Sequence, residues 1–355
     1  MPRSTPSWRW PFRRRGTITL GLLVLGLGAA LVVTTGGAAP RQSSARTEEG
    51  KALVGFHIAS VPVNNPDKPP SEEQKAGGVL GYAIHLGGFQ RELAKAGFEF
   101  LGIKGFPRTA ACMLALNAGQ VQVASTGDSP AVLSRARGDK HHAIYVTLPS
   151  TETWIVGRPG GPPSLQALSG KKVGTLLGST FDYYFRAAAA QVGLSEIQFA
   201  QLQASAALPA LQNDALDAYL TTSTTAALWQ RKYGLPVIAK LSDVNPKLRG
   251  IGIVTARDDF LEAHPTFAAA YFRGLRTGID AIRKDKAAYL AWEADASGIP
   301  LDILQASDSL RLADTPAPPE SVAALQEQLA FRLATGVANA AFDVREWVVG
   351  SGGTP

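Results

Sequence analysis

Two serines stand where a strand-like pattern passes into a helical one, and such positions can bind anions. Ser129 follows the strand-like residues 121–125, and Ser179 follows residues 172–176. Each serine is expected to be the N-cap of its helix. The free N–H groups of a helix start, a hydroxyl and the close backbone approach that Gly178 permits would together hold an oxyanion. Open α/β sheets bind their ligands at the carboxyl ends of their strands, which is where both serines fall.

A purely structural capping role remains open for both serines. Asp128 and Asp182, which lie next to these helix starts, oppose oxyanion binding if both are ionised and face the ligand. Asp128 could instead pair with an ammonium group of a ligand. It could also accept hydrogen bonds from backbone N–H groups near a hinge.

Further polar candidates follow other strand-like runs. Residues 221–225 are five consecutive hydroxyl residues, and they form either a capped, solvated turn or a set of donors to an oxyanion. His57, expected near the end of the first strand, is either a neutral hydrogen-bond donor or an ordinary, partly buried histidine.

The sequence contains no arrangement typical of covalent or metal catalysis. It has no G-x-S-x-G elbow and no phosphate loop, and its five histidines lack metal-ligand spacing. Cys112 is the single cysteine, and the apolar helical run around it predicts a buried structural thiol. His141 and His142 are expected to be solvated at the entry to a strand. We therefore expect a protein that is not an enzyme and that uses no cofactor or metal.

The basic charge of the chain is concentrated at its N-terminus. The 355 residues carry a formal net charge of +6, with 35 basic and 29 acidic side chains. Residues 1–40 contain five arginines and no acid, which leaves 35 − 5 = 30 basic against 29 acidic residues in the remainder. A nearly neutral remainder argues against nucleic acid as a partner.

The N-terminal residues have the order of an export signal. The arginines precede the apolar residues 17–33, and small residues follow at 35–39. Residues 1–39 are therefore expected to be a signal peptide, and the protein to be periplasmic or otherwise extracytoplasmic. An uncleaved membrane anchor is the alternative, because about 17 apolar residues are close to the length that spans a bilayer.

Strand-like runs alternate with helical patterns as far as residue 255, and only helical patterns follow. The strand-like runs are 53–59, 98–103, 121–125, 143–148, 153–157, 172–176, 197–202, 216–220, 236–240 and 251–255. The helical patterns are 88–97, 109–119 and 180–193, then 260–286, 301–309 and 320–336. This alternation predicts parallel α/β sheets that are covered on both faces. Composition shifts at 158–163 and 243–250 indicate two crossings between structural units.

Several motifs resemble a known family. They are LNAGQVQVASTGDSP (116–130), LSGKKVGTLLGST (168–180), LDAY (216–219), TARDDFLEAHP (255–265) and AFDVREWV (341–348). In this order and spacing they resemble the periplasmic nitrate/sulfonate/taurine-type solute-binding proteins of ABC importers. The resemblance covers about residues 52–348. The family often has Trp-Asp-Pro where this chain has Thr222-Ser223-Thr224, and the loop 61–78 is longer than usual.

The resemblance implies a two-lobed α/β fold, the type II periplasmic-binding-protein fold, with two crossover strands at the hinge. One lobe is expected at residues 52–150 with 250–348, and the other at 151–249. Matched by position, the ligand contacts form four segments: His57; Asp128 and Ser129; Gly178, Ser179 and Thr180; and Tyr219, Thr221 and Thr222.

The expected function is to bind a small oxyanion such as an aliphatic sulfonate, taurine or nitrate. The protein is expected to deliver this ligand to the membrane subunits of an ABC permease and to be a monomer. One alternative is a neutral or cationic ligand such as a pyrimidine precursor of thiamine, held by Asp128 and aromatic side chains. Two others are a periplasmic enzyme on the same scaffold and a membrane-anchored sensor domain.

Overall fold

The computed structural model describes residues 52–62 and 76–351. The predicted signal peptide and most of the long loop after the first strand therefore lie outside the described residues. No helix within the described ranges is long and apolar enough to cross a membrane.

Within the described residues, eleven strands form two sheets. Sheet A has the order β2-β1-β3-β11-β4, and sheet B has the order β10-β5-β8-β6-β7, with β9 paired to β5. The strands are β1 (Val54–Ser60), β2 (Phe98–Gly105), β3 (Val123–Gly127), β4 (His141–Val146), β5 (Thr151–Gly157), β6 (Lys172–Thr175), β7 (Gln198–Gln201), β8 (Ala218–Thr222), β9 (Val237–Lys240), β10 (Arg249–Gly250) and β11 (Gly252–Arg257). We call the half of the molecule around sheet A lobe 1 and the half around sheet B lobe 2.

Helices flank both sheets. They are α1 (Gly78–His85), α2 (Gly88–Lys95), α3 (Thr109–Asn117), α4 (Asp128–Ala136), α5 (Thr180–Val192), α6 (Ala204–Gln212), α7 (Ser223–Tyr233), α8 (Leu241–Val244), α9 (Asp258–Ala263), α10 (Phe267–Lys284), α11 (Lys286–Ser297), α12 (Leu301–Ala306), α13 (Pro319–Ala334) and α14 (Val344–Trp347). The predicted α/β class and its two-lobed arrangement are confirmed.

The chain passes between the sheets twice, at residues 147–150 and at Ile251. Segment 158–163 connects β5 to β6 within sheet B, so its change in composition marks a loop and not a crossing. The predicted parallel pairing holds for β1 with β2 and β3 and for β6 with β7 and β8, but not for the whole of either sheet. β5 is antiparallel to β8, and β11 is antiparallel to β3 and β4. β5 and β11 each enter their sheet directly from a crossing, without the helix that a parallel connection requires.

The helix predictions are most accurate where a strong stop signal occurs. α5 ends at Gly193, which adopts a left-handed conformation with φ 71°, as predicted from its position after the apolar pattern. The predicted long helix 260–286 is instead divided into α9, α10 and the start of α11. Pro265 accounts for the first break, because it lacks the N–H that a continuous helix needs.

The core of lobe 1 contains a buried hydroxyl that has no partner among the residues that the structure describes. Tyr271 on α10 packs against Phe89 and Phe267, and no described group bonds its hydroxyl. Tyr271→Phe is expected to leave the stability unchanged or to raise the free energy of unfolding by up to about 1 kcal/mol, since it removes an unsatisfied buried polar group. Urea denaturation measures this, and a loss of more than about 1 kcal/mol would show that the hydroxyl has a bonding partner.

Candidate functional site

The carboxyl edges of the two sheets face each other. In lobe 1, β1 ends at Ser60 and β3 at Gly127, and in lobe 2, β8 ends at Thr222. The edges are in contact, because the Ser129 hydroxyl at the start of α4 donates a hydrogen bond to the carbonyl oxygen of Gly178 at 3.0 Å. The second and third predicted contact segments are thus brought together across the cleft between the lobes.

Asp128 lies at the centre of this junction and is fully buried. Its carboxylate accepts hydrogen bonds from α4, α5 and α13 and from Ile251 at the hinge. The donors are the N–H of Ser129 (2.6 Å) and the hydroxyl of Thr180 (2.8 Å) at Oδ1, and the hydroxyl of Tyr184, the N–H of Ile251 and Nε2 of Gln328 (each 3.0 Å) at Oδ2. Of the interpretations left open for Asp128, hydrogen bonding near the hinge fits this geometry. In this arrangement the carboxylate has no surface left for a ligand ammonium group.

The start of α4 differs from the prediction. The helix begins at Asp128 with Gly127 as its N-cap, and Ser129 lies inside the first turn. The Ser129 hydroxyl donates to Gly178 and is 2% exposed, so it joins the lobes instead of capping a helix. Sequence spacing placed the cap two residues too late, because Asp128 also has a capping side chain and accepts the Ser129 N–H.

Ser179 is the N-cap of α5, as predicted, and its hydroxyl accepts a hydrogen bond from the N–H of Asp182 at 3.3 Å. Asp182 folds back, accepting from the Gly178 N–H at 3.0 Å and pairing with Arg186 at 2.8 Å. Its charge is therefore compensated locally. The N–H groups of Thr180 and Phe181 have no hydrogen-bond partner among the described residues, which leaves two backbone donors at this helix start.

The fourth segment is mostly used by the protein itself. Thr222 caps α7 by accepting the Thr225 N–H at 3.1 Å, and Thr221 is buried. Tyr219 packs on Trp229 in the core of lobe 2, and its hydroxyl donates to the carbonyl of Leu202 at 3.4 Å. Burial raises the pKa of Tyr219 to about 12. Its side chain thus serves the core of lobe 2.

A segment of lobe 1 that the sequence did not single out also reaches α7. The Ser223 hydroxyl donates to the carbonyl of Ser307, which follows α12, at 3.2 Å. Arg231 on α7 pairs with Asp302 on α12 at 2.6 Å. A second bridge between the lobes therefore lies beside the fourth segment. Ser223 and Ser307 are 84 residues apart in the chain, so no local motif could have indicated their contact.

His57 does not lie near the end of its strand. It is three residues before the end of β1, at a register shift in the pairing with β2, and its N–H donates to Oε1 of Gln122 at 3.0 Å. At about 3.3 Å per residue it lies roughly 10 Å from the carboxyl edge. Ser60 occupies the edge position that the sequence analysis gave to His57.

Arg108 is a cation at the edge of lobe 1 that the sequence analysis missed. It is exposed and is the N-cap of α3, the helix that follows β2, and it lies three residues after the end of that strand. The N–H of Phe106, two residues earlier, donates to the carbonyl of Ser60 at 2.9 Å, which keeps this turn at the end of β1. None of the described acidic side chains pairs with Arg108. Its position at a strand-to-helix turn was the available signal.

Groups suited to covalent or metal chemistry do not gather at this junction. Cys112 is buried, as predicted, and burial raises the pKa of its thiol to about 12, which keeps it protonated and inert. Across residues 52–62 and 76–351, no group of three or more histidine, cysteine or acidic side chains could hold a metal ion.

The fold and the facing edges define a class of protein, the two-lobed proteins with the periplasmic-binding-protein fold. A family model described as NMT1/THI5 like matches residues 103–288, more than half of the chain. This chain therefore belongs to the NMT1/THI5-like family. A search of curated proteins finds no match to the sequence.

Solved structures agree on the fold. The alkanesulfonate-binding protein SsuA of Xanthomonas axonopodis pv. citri, bound to MOPS, is 18% identical with a TM-score of 0.69, and the match covers 83% of this chain and 98% of that chain. The aliphatic sulphonate binding protein SsuA of Escherichia coli is 18% identical with a TM-score of 0.65, covering 84% and 98%. The desulfurization enzyme DSZB is 12% identical with a TM-score of 0.62, covering 83% and 96%. At these identities the likeness concerns the fold alone.

Proposed function

We propose that this protein is the extracytoplasmic solute-binding component of an ABC importer and binds a small oxyanion, an organosulfonate, between its two lobes. The distribution of hydrogen-bonding groups at the facing edges carries the proposal. Both carboxylate oxygens of Asp128 and of Asp182 already accept hydrogen bonds from the protein, which answers the objection that the sequence raised. The Ser179 hydroxyl, the N–H groups of Thr180 and Phe181 and the Arg108 side chain remain as donors.

The comparisons support the same proposal. The chain belongs to the NMT1/THI5-like family, and two proteins with its fold are named as sulfonate-binding. On this proposal, residues 1–39 direct export. The two lobes move as two bodies, one of residues 52–150 with 250–348 and the other of residues 151–249. The ligand-loaded monomer then binds a permease. The third and fourth segments supply ligand contacts through Gly178, Ser179, the backbone of Thr180 and the exposed part of Thr222.

Binding without turnover fits the side chains better than catalysis does. One structure with this fold is named as a desulfurization enzyme. In this chain the only thiol is buried and its raised pKa keeps it protonated. A cationic ligand is disfavoured because the Asp128 carboxylate already accepts hydrogen bonds on both oxygens. Calorimetric titration with alkanesulfonates, taurine, nitrate and a neutral pyrimidine tests the ligand class, and binding of the pyrimidine alone would overturn it.

Arg108→Ala is expected to weaken the binding of an alkanesulfonate by roughly ten- to a hundredfold, because one charge-assisted hydrogen bond of about 1.5–3 kcal/mol is lost. Isothermal titration calorimetry measures the change. Arg137→Ala is the control, since Arg137 is an exposed arginine at the opposite end of α4 from the cleft. Equal affinities for both variants would remove Arg108 from the site.

Ser179→Ala separates capping from ligand binding. If the hydroxyl donates to the oxyanion, affinity should fall by roughly ten- to a hundredfold in addition to the loss of about 1 kcal/mol of stability that the missing cap causes. Asp285→Ala is the matched control, because Asp285 caps α11 by accepting the Ala288 N–H. It should lower stability alone. A Ser179→Ala protein that behaves in the same way would make Ser179 a cap only.

A further inference from the structure

The Thr180 side chain fills a notch between two backbone segments on either side of the hinge. The notch is formed by Gly127 at the end of β3 and by Gly250 in β10. A Cβ atom at Gly250 would lie 2.7 Å from Cγ2 of Thr180, and one at Gly127 would overlap its Oγ1. Neither glycine has a positive φ. What requires glycine is therefore close approach and not the backbone conformation: Thr180 alone approaches Gly127, whereas Thr180 and Thr151, whose Cβ would lie 3.1 Å away, both approach Gly250.

Hydrogen bonds fix Thr180 in this notch. Its hydroxyl donates to Oδ1 of Asp128 at 2.8 Å, and Tyr184, one turn further along α5, donates to Oδ2 at 3.0 Å. Ile251 in the hinge and Gln328 on α13 donate to the same carboxylate. Because Thr180 is β-branched and its hydroxyl is bonded, its χ1 rotamer cannot change to relieve a collision.

We propose that Thr180 is the pivot of the hinge. Its side chain is a positioning residue that seats the first turn of α5 on lobe 1 and sets how closely the two lobes approach. By position this side chain was expected to contact the ligand, but its hydroxyl already donates to Asp128. A ligand bound at Ser179 would act on the same turn, so occupancy and lobe closure would be coupled through one helix start. The coupling rests on the proposed function, whereas the pivot does not.

Crossed substitutions test the pivot, because each glycine meets a different atom of Thr180. Gly250 and Thr180 both belong to lobe 2, so Gly250→Ala should displace the first turn of α5 from β10 and thereby change how that turn packs on lobe 1. Thr180→Ser, which removes Cγ2 and keeps the hydroxyl, should reverse the part of this change that Thr180 causes, while the Cβ atom of Thr151 stays 3.1 Å away. The effect of Gly127→Ala on the distance between the lobes should persist in the Thr180→Ser background, because Oγ1 remains. Gly127→Ala should have no further effect in the Thr180→Ala background, where that atom is gone.

The measurement is the distance between the lobes in protein with no added ligand. Spin labels at Leu114→Cys on α3, a position 66% exposed, and at Gln230→Cys on α7 report it by double electron–electron resonance. Cys112 is fully buried and should stay unlabelled. The expected result is a longer or broader distance for each glycine variant, and the crossed pattern of recovery.

Two outcomes would overturn the pivot. In one, the glycine variants change the unfolding midpoint but not the label distance. In the other, the effects of the glycine and Thr180 substitutions simply add, as they do for independent sites. Titration of the same proteins with an alkanesulfonate separates this proposal from the proposed function. A crossed pattern without any sulfonate binding supports the pivot and counts against the ligand class.

Discussion

Asp128→Asn is expected to lower the free energy of unfolding by about 3–5 kcal/mol, because it breaks a buried charged network by removing one partner. An asparagine presents an N–H₂ group to donors that now point at a carboxylate oxygen. It also removes the strongest of the nearby negative charges that favour the charged Arg332 side chain, the other being that of Asp182. The Arg332 guanidinium is 1% exposed, bonds the Gln328 side chain at 2.9 Å and lies 3.9 Å from the centre of the Tyr183 ring. Burial already lowers the pKa of Arg332.

Chemical denaturation measures this loss, with Asp259→Asn as the control. Asp259 pairs with Arg257 at an exposed position, where an ion pair contributes about 0–1 kcal/mol. If Asp128 were instead a ligand contact, Asp128→Asn would lower affinity and leave stability unchanged. That result would contradict the network described here.

The second large effect concerns His141 and acid. The prediction that both histidines at the start of β4 are solvated is wrong for His141. Its side chain is fully buried beside the indole of Trp347, and neither ring nitrogen has a partner among the described residues. Only His142 is partly exposed, and it pairs with Asp258 at 2.7 Å.

Burial, with the nearby Arg135 charge, lowers the pKa of His141 from 6.5 to about 4, against the smaller opposing effects of Asp139 and Asp258. The unfolded chain therefore binds this proton at a higher pH than the folded protein does. Stability is fully present above about pH 6.5 and falls as the pH decreases towards 4. The loss from this one group is about 3 kcal/mol.

His141→Leu should flatten this part of the pH profile and leave stability at pH 7 within about 1 kcal/mol of the wild type. His142→Gln, the control, should keep the slope. Free energies of unfolding at several pH values between 4 and 7 give the answer. An unchanged slope in His141→Leu would mean that His141 is protonated in the folded protein or is not buried.

Local patterns in the sequence were sufficient where neighbouring residues decide the structure. The apolar face of α5 and its stop at Gly193 follow from helical spacing and from the conformational freedom of glycine. Ser179 was identified as a cap because its partner, the Asp182 N–H, is only three residues away. Cys112 was expected to be buried because its own helix is apolar. These features depend on groups that are close in the chain.

The sequence predicted the positions of the ligand contacts only in part. The sequence placed the turns near residues 128 and 178 at the carboxyl ends of strands, and the structure brings these turns into contact. The sequence could not indicate that Asp128 and Thr180 would bond each other. The network that holds Asp128 includes Tyr184, Ile251 and Gln328, and Gln328 is 200 residues away in the chain. Tyr219 and His57 were misplaced for a related reason. Strand register and the packing of the opposite lobe decide which way those side chains lie.

The sequence by itself therefore determined the fold class, the order of most elements and the helix starts that could hold an anion. These follow from periodicity and capping, which act over a few residues. Only the tertiary structure decided which polar groups at those helix starts stay available. Bonds across the hinge satisfy Asp128, Ser129 and the Thr180 hydroxyl, whereas the N–H groups of Thr180 and Phe181 have no partner among the described residues. A buried polar group takes whichever partner the fold brings to it, and that choice is made by residues far apart in the chain.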